Sequence, residues 1–234
     1  MLETLQHIDQ SLFLAVNGWH SPYWDTFMYL FTNKLVWIPL YASILYVLIR
    51  NLNWRMVIFT IIAFALLVTV ADQLCSSVLR PVFERPRPSH NPEIADIVHL
   101  VNGKRGGQFG FPSCHAANTF ALACFVMLLF RNKTLSWFFM LWALVTCYTR
   151  AYIGVHYPGD LLFGTVVGFF AGILVYGIYR GCLRFHSLTD LLHYPQDRSR
   201  VEHQRPWHST NLIFIAGVLT VIVFFLVSIW MRAN

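Results

Sequence analysis

The chain reads as a succession of long apolar runs separated by short polar connectors. Apolar stretches near residues 35–49, 54–79, 116–130, 135–153, 160–179 and 211–231 approach or exceed the roughly 20 residues that a helix needs to cross a hydrocarbon core. They predict six spans, the first and third short. Before the first span, Trp19, Tyr23, Trp24 and the turn pair Asn17-Gly18 predict amphipathic pieces in the membrane interface, where aromatic rings prefer to sit. An additional span over residues 24–31 is the weaker reading. Glu3, His7 and Asp9 stand where a signal peptide needs a basic start and a clean apolar core, so no cleaved leader is expected.

The polar, basic stretch 180–209 predicts a cytoplasmic connector with one short amphipathic helix near residues 188–193, and residues 211–231 the last span. The expected fold class is therefore all-α: a polytopic membrane helix bundle of about six transmembrane spans with N-terminal interfacial helices. Residues 1–234 form a single membrane-embedded domain on this reading. Ala116, Ala117, Ala121 and Ala123 would let neighbouring helices approach closely.

Composition agrees with that class. The chain is 56% hydrophobic, 16% aromatic and 12% charged, against roughly 25% charged residues in soluble domains. The formal charge of +6 suits an anionic lipid surface and reflects topology before anything else; nucleic acid is not an expected partner. Cys75, Cys114, Cys124, Cys147 and Cys182 show no CxxC spacing, so neither a disulfide framework nor a zinc site is indicated.

Arg50, Arg55, Arg131, Lys133, Arg180, Arg184, Arg198, Arg200 and Arg205 place their loops in the cytoplasm by the positive-inside tendency. The opposite face nevertheless holds Lys34, Arg80, Arg85, Arg87, Lys104, Arg105, Arg150 and Arg232. That excess makes sense if some of these cations serve chemistry. Pro81 is expected to end the second span after Arg80, leaving Arg85 and Arg87 on a proline-stiffened extended segment. Arg150 ends the fourth span, and an arginine at membrane depth faces a protein interior or a watery cavity more often than lipid. His156 and Asp160 follow it, and Pro112-Ser113-Cys114-His115 opens the third span.

In this order the residues resemble the type 2 phosphatidic acid phosphatase family. Its signature is a basic residue, six others and Arg-Pro; then Pro-Ser-Gly-His; then Ser-Arg, five others, His, three others and Asp. Here these stand as Arg80 with Arg87-Pro88, as Pro112-Ser113-Cys114-His115, and as Thr149-Arg150 with His156 and Asp160. The resemblance covers residues 74–168. Arg80 replaces the usual lysine and Thr149 the serine. Cys114 replaces a glycine, which matters if that position needs a backbone conformation that a side chain resists.

The resemblance implies that His156 is a nucleophile forming a phosphohistidine, that Asp160 orients it, and that His115 is the general acid. Arg80, Arg87, Arg150, Ser113 and Cys114 would hold the phosphate. Independently, arginines make planar donors for phosphate oxygens, and a helix start supplies backbone N–H groups and a favourable dipole. Three arginines without a carboxylate-rich set argue against a dication in this site, so no metal and no cofactor are expected.

The implied activity is metal-independent hydrolysis of a lipid phosphomonoester or pyrophosphate, with undecaprenyl pyrophosphate or lipid A phosphate favoured. The enzyme would sit in the cytoplasmic (inner) membrane with its site facing outward. A phosphotransferase on the same scaffold, and a non-catalytic lipid-phosphate or anion binder or transporter, remain open alternatives.

Overall fold

The computed structural model describes residues 2–185, 190, 192 and 207–233. Eight helices carry the fold: α1 (Leu2–Asn17), α2 (Pro22–Thr32), α3 (Ile38–Asn51), α4 (Trp54–Phe83), α5 (Cys114–Phe130), α6 (Lys133–Tyr152), α7 (Pro158–Cys182) and α8 (Asn211–Ala233). Among the described residues the one β feature is an isolated bridge between Pro86 and Phe109. The expected short helix near residues 188–193 lies largely outside the described residues.

Helix starts follow local chemistry. The side-chain oxygens of Asn53 and Asn132 accept from the backbone N–H groups of Met56 at 3.0 Å and Leu135 at 3.1 Å, satisfying donors that have no partner within the helix. Pro158 sits in the first turn of α7, where its missing N–H is harmless.

Each of the six expected stretches is helical, but length and composition single out fewer spans. Helices α4, α7 and α8 are each long and apolar enough to cross a membrane. A fourth candidate is a bent pair, α2 with Lys34–Asn51, turned by 66° at its break. Helix α5 has only 17 residues, about 25 Å of rise, and α6 ends in the polar series Thr146, Thr149 and Arg150. The residues expected as loose interfacial pieces are also better integrated than the sequence indicates. Phe27 and Phe31 of α2 are buried, with ring centroids 6.3 and 6.1 Å from Phe224 of α8.

Pro81 does not end the second long helix. Residues Leu74–Leu79 form a π-helical turn, with the Arg80 N–H bonded to the Cys75 carbonyl, and the helix continues to Phe83 before Glu84 closes it in the left-handed region at φ 42°. The wider turn accommodates a ring that would collide with the preceding carbonyl in a regular helix. Arg80 therefore projects from the last helical turn, which runs on past the proline.

Helix α5 is enclosed by its neighbours. Its Ala116, Ala117, Phe120, Ala121, Ala123 and Phe125 are buried, as the apolar positions of a helix surrounded by others require. Against it lies a stripe on α7 spaced by one helical turn. A methyl group at Gly164 would come within 2.5 Å of the Ser113 carbonyl, and one at Gly168 within 2.5 Å of the Ala117 carbonyl. Small residues on both helices thus let the backbones touch, and this contact sets the start of α5 beside the start of α7.

Candidate active site

The turn from α6 to α7 carries the first part of the site. Gly154 takes φ 84°, and a Cβ there would meet the His99 carbonyl at 2.6 Å, so this turn requires glycine. It delivers His156 into a fully enclosed position, 1% exposed. Asp160, in the first turn of α7, accepts the Tyr157 N–H at 3.1 Å and faces His156 Nδ1 at 3.4 Å through the same Oδ2. It is therefore both a helix cap and the partner of the imidazole. With the proton on Nδ1, the lone pair of His156 lies on Nε2, which faces Arg87 Nη1 at 3.2 Å.

Arg87 is held by backbone. Its Nε donates to the Phe109 carbonyl at 3.2 Å and its Nη1 to the Val155 carbonyl at 3.1 Å. The bridge between Pro86 and Phe109 pairs its strand-like segment with the glycine-rich approach, Gly110 N–H bonding the Arg85 carbonyl at 2.9 Å. A Cβ at Gly110 would stand 2.9 Å from Arg87 Cγ and 3.1 Å from Asp160 Oδ2. The glycine-rich run before α5 exists to let this arginine lie flat against it.

At the head of α5, Ser113 is wholly buried. Its N–H donates to the Asp160 carbonyl at 3.0 Å, and its hydroxyl accepts from Ala116 N–H at 3.5 Å. Cys114 adopts ordinary helical geometry, absent from the positive-φ residues. The cysteine in place of the family glycine thus meets no backbone obstacle. Its thiol sulfur instead accepts from Arg80 Nη2 at 2.9 Å, while the same nitrogen donates to the Pro112 carbonyl at 3.2 Å. Arg150 donates through Nη1 to Thr32 at 3.0 Å. Its Nε, like that of Arg80, is buried without a hydrogen-bond partner.

The charge balance is lopsided. Among the described residues, Arg80, Arg87 and Arg150 have no carboxylate within ion-pair distance; the pairs formed are Arg85 with Asp9 and Asp160, His99 with Asp25, and His156 with Asp160. Several buried cations without a counter-charge are costly, and an anionic ligand removes the cost. Burial and then Arg87, Arg150 and Arg80 hold the His156 imidazole well below its ordinary pKa, which keeps it neutral with a free lone pair.

This depression has a measurable consequence. His156 binds fewer protons in the folded chain than in the unfolded one, so its effect on stability is constant above the unfolded value of about 6.5 and turns destabilising as pH falls below it, by up to about 1.4 kcal/mol per pH unit. Thermal unfolding followed from about pH 7 down to pH 5 is expected to show a shallower loss of Tm in His156→Asn than in the wild type.

His115, one residue into α5, lies within electrostatic reach of Arg150, His156, Lys34 and Arg87. It also lines a cavity of about 490 Å³ between α3, α4, α5 and α6. Lys34, Thr32, Asn118 and Thr119 share its polar end, and Ile44, Leu48, Ile61, Phe64 and Val68 its apolar walls. The residues expected to share one phosphate thus occupy one region, with Arg87 and His156 in direct contact.

Two residues of this region carry no motif. Arg85 bridges Asp160 Oδ1 at 2.9 Å and Asp9 Oδ2 at 2.7 Å, and its guanidinium lies over the Tyr157 ring, 4.2 Å from the centroid. Asp9, from α1, also accepts the Gly159 N–H at 2.7 Å. Arg85 carried a faint signal, standing within the same proline-rich run as Arg87; Asp9, some 150 residues from its partner Gly159, carried none. Through Arg85 and Gly159, Asp9 steadies the carboxylate that orients His156. Asp9→Asn is expected to lower kcat about ten-fold with KM little changed, the scale produced by slight misplacement of a reacting group; steady-state kinetics on the purified variant check this.

An enclosed imidazole and carboxylate, beside guanidinium groups that lack counter-ions and an apolar cavity within a helical membrane bundle, define a membrane-embedded phosphatase. A model of the PAP2 superfamily matches residues 58–184. A lipid A 4'-phosphatase of Bacteroides thetaiotaomicron is 49% identical over 222 residues, covering 94% of this chain and 97% of that protein. A lipid A 4'-phosphatase of Porphyromonas gingivalis is 38% identical over 180 residues, 76% of this chain and 75% of that protein. The crystal structure of Aquifex aeolicus LpxE superimposes with a TM-score of 0.56 at 25% identity, covering 71% of this chain and 93% of that one. The chain belongs to the PAP2 superfamily.

Proposed function

We propose that this phosphatase of membrane lipids removes a phosphate monoester from lipid A, at the membrane face away from the cytoplasm, through a phosphohistidine on His156. The observation that carries the reading is the contact of His156 Nε2 with Arg87 at 3.2 Å among arginines that have no carboxylate partner. A phosphate that draws the guanidinium onto its own oxygens frees that lone pair. The similarity to the Bacteroides protein, near-complete in both chains, supports lipid A as substrate and its 4'-phosphate as the group removed. The apolar cavity beside His115 suits an acyl chain.

In the first step Nε2 of His156 attacks phosphorus as the phosphorus–oxygen bond to the sugar breaks. His115 takes up a proton together with the anionic phosphate, whose charge offsets the surrounding arginines, and gives that proton to the departing oxygen. In the second step His115 takes a proton from water, the resulting hydroxide attacks phosphorus, and the phosphorus–nitrogen bond breaks to release inorganic phosphate. Arg80, Arg87 and Arg150 neutralise the equatorial oxygens in both steps, the task a divalent cation performs elsewhere, and so activity should persist in chelator. The outward orientation is supported by Arg50, Arg55, Arg131, Arg180 and Arg184, which lie at the helix ends remote from the site.

A phosphate-release panel in detergent with chelator tests the reading. Lipid A is expected to be turned over faster than undecaprenyl pyrophosphate, phosphatidate or phosphatidylglycerol phosphate. Preferred turnover of another lipid would overturn the substrate, and release that depends on a divalent cation in the wild type and in His20→Ala alike would overturn the mechanism.

A further inference from the structure

Three chain segments outside the phosphate pocket bring metal-binding side chains together. His20 lies in the turn between α1 and α2, Asp25 in the first turn of α2, and His99 in the long connection between α4 and α5. One ligating atom from each lies within 4.8 Å of the others. His99 Nε2 is 3.0 Å from Asp25 Oδ2, and the His20 and His99 rings are stacked with centroids 3.7 Å apart.

We propose that His20, Asp25 and His99 form a binding site for one divalent transition-metal ion of the zinc class, which clasps the N-terminal helices to the loop that covers the catalytic turn. Two imidazoles and one carboxylate, with water in a fourth position, form a donor set that suits zinc, and also copper and nickel. Magnesium and calcium prefer oxygen ligands and are disfavoured.

The surroundings are those of a prepared site. Tyr152 donates its hydroxyl proton to Asp25 Oδ1 at 2.8 Å, leaving Oδ2 for the metal. Such outer partners orient ligands and hold their affinity. Asn17, itself buried, accepts the His99 N–H at 2.8 Å and donates to the His99 carbonyl at 2.9 Å and the Tyr152 carbonyl at 2.8 Å. The backbone of His99 is thereby pinned on both sides. Parallel rings do not aim their lone pairs at one point, so capture requires one ring to turn. His20 is exposed and turns about its own side-chain torsions without disturbing the core.

The position gives the site a consequence. The His99 carbonyl is the atom that a side chain at Gly154 would strike, so the loop being clasped rests on the turn that delivers His156. A metal here tightens that cover without contacting the phosphate.

The experiment uses the full-length chain, free of any affinity tag and stripped with chelator, titrated with Co²⁺ and then Zn²⁺. The wild type is expected to take up one equivalent of Co²⁺ with visible ligand-field absorption, lose the absorption as Zn²⁺ displaces it, and unfold at a higher temperature with Zn²⁺ present. His20→Ala, at an exposed position, is expected to bind Co²⁺ at least about ten-fold more weakly and to lose the thermal shift. His156→Ala is expected to keep both, separating this site from the phosphate pocket. No saturable absorption in the wild type, or absorption that survives His20→Ala unchanged, overturns the proposal.

Discussion

His156→Ala is expected to lower phosphate release by about 10⁴-fold or more, the scale seen when a nucleophile is removed from a group of residues that act as a unit. The substitution removes the atom that would bond to phosphorus, and a neighbouring side chain cannot stand in for it. Asp160 is held by the Tyr157 N–H and by Arg85, and His115 sits on a different helix facing the cavity. The arginines remain, so lipid binding should survive, and an equilibrium measurement with labelled lipid should give a Kd within a few-fold of the wild type. Turnover and binding measured on the same preparation therefore separate the enzyme reading from a passive lipid-phosphate carrier. Alkaline quenching of the wild type during turnover should also leave labelled phosphate on His156, since an N-linked phosphoryl group survives base. Unchanged turnover in the variant would refute the proposed nucleophile.

His115→Ala is the second large effect, and the leaving group decides its size. A sugar hydroxyl is a poor leaving group that needs a proton as its bond to phosphorus breaks, and a positioned general acid contributes about 10²–10⁴-fold. A nitrophenyl phosphate departs as a stable phenolate and needs no proton. The variant is thus expected to lose about 10²–10⁴-fold on the lipid and less than about ten-fold in the phosphorylation step on the aryl ester. Single-turnover kinetics with both substrates read the difference. An equal loss on both would assign His115 to phosphate binding instead of proton transfer, a role its nearness to Arg150 and Lys34 would also permit.

The spacing of Arg80, Arg87, His115, Arg150, His156 and Asp160 was legible because each motif is local, a turn or a helix start that specifies its own geometry. The six apolar stretches were legible as helices from their hydrophobicity, while length and composition mark three of the helices as spans, or four with the bent pair. Reading failed where a residue's meaning depends on a partner far along the chain. Pro81 reads as a helix stop by its own chemistry, and only the π-helical turn before it lets the helix pass. Cys114 left open whether the phosphate cradle is altered or intact, and only the fold shows an ordinary backbone there, with the sulfur accepting from Arg80. The interfacial reading of residues 22–32 gave no sign of the partner they pack on, α8, against which Phe27 and Phe31 are buried. Arg85 had only the faint signal of the proline-rich run it shares with Arg87, and Asp9 had none that set it apart from a surface charge.

By itself the sequence determined the class of protein and the positions of its helices, since these follow from hydrophobicity and from proline and glycine geometry, and through its family resemblance it named the residues expected to meet a phosphate. The tertiary structure alone decided which charges are neutralised: Arg85 finds Asp9 and Asp160, whereas among the described residues Arg80, Arg87 and Arg150 find no carboxylate. The physical reason is that Coulomb interactions and desolvation depend on distance through space, and the distances that matter here join α1 to α7 and α4 to α5, across chain separations that a linear pattern does not encode.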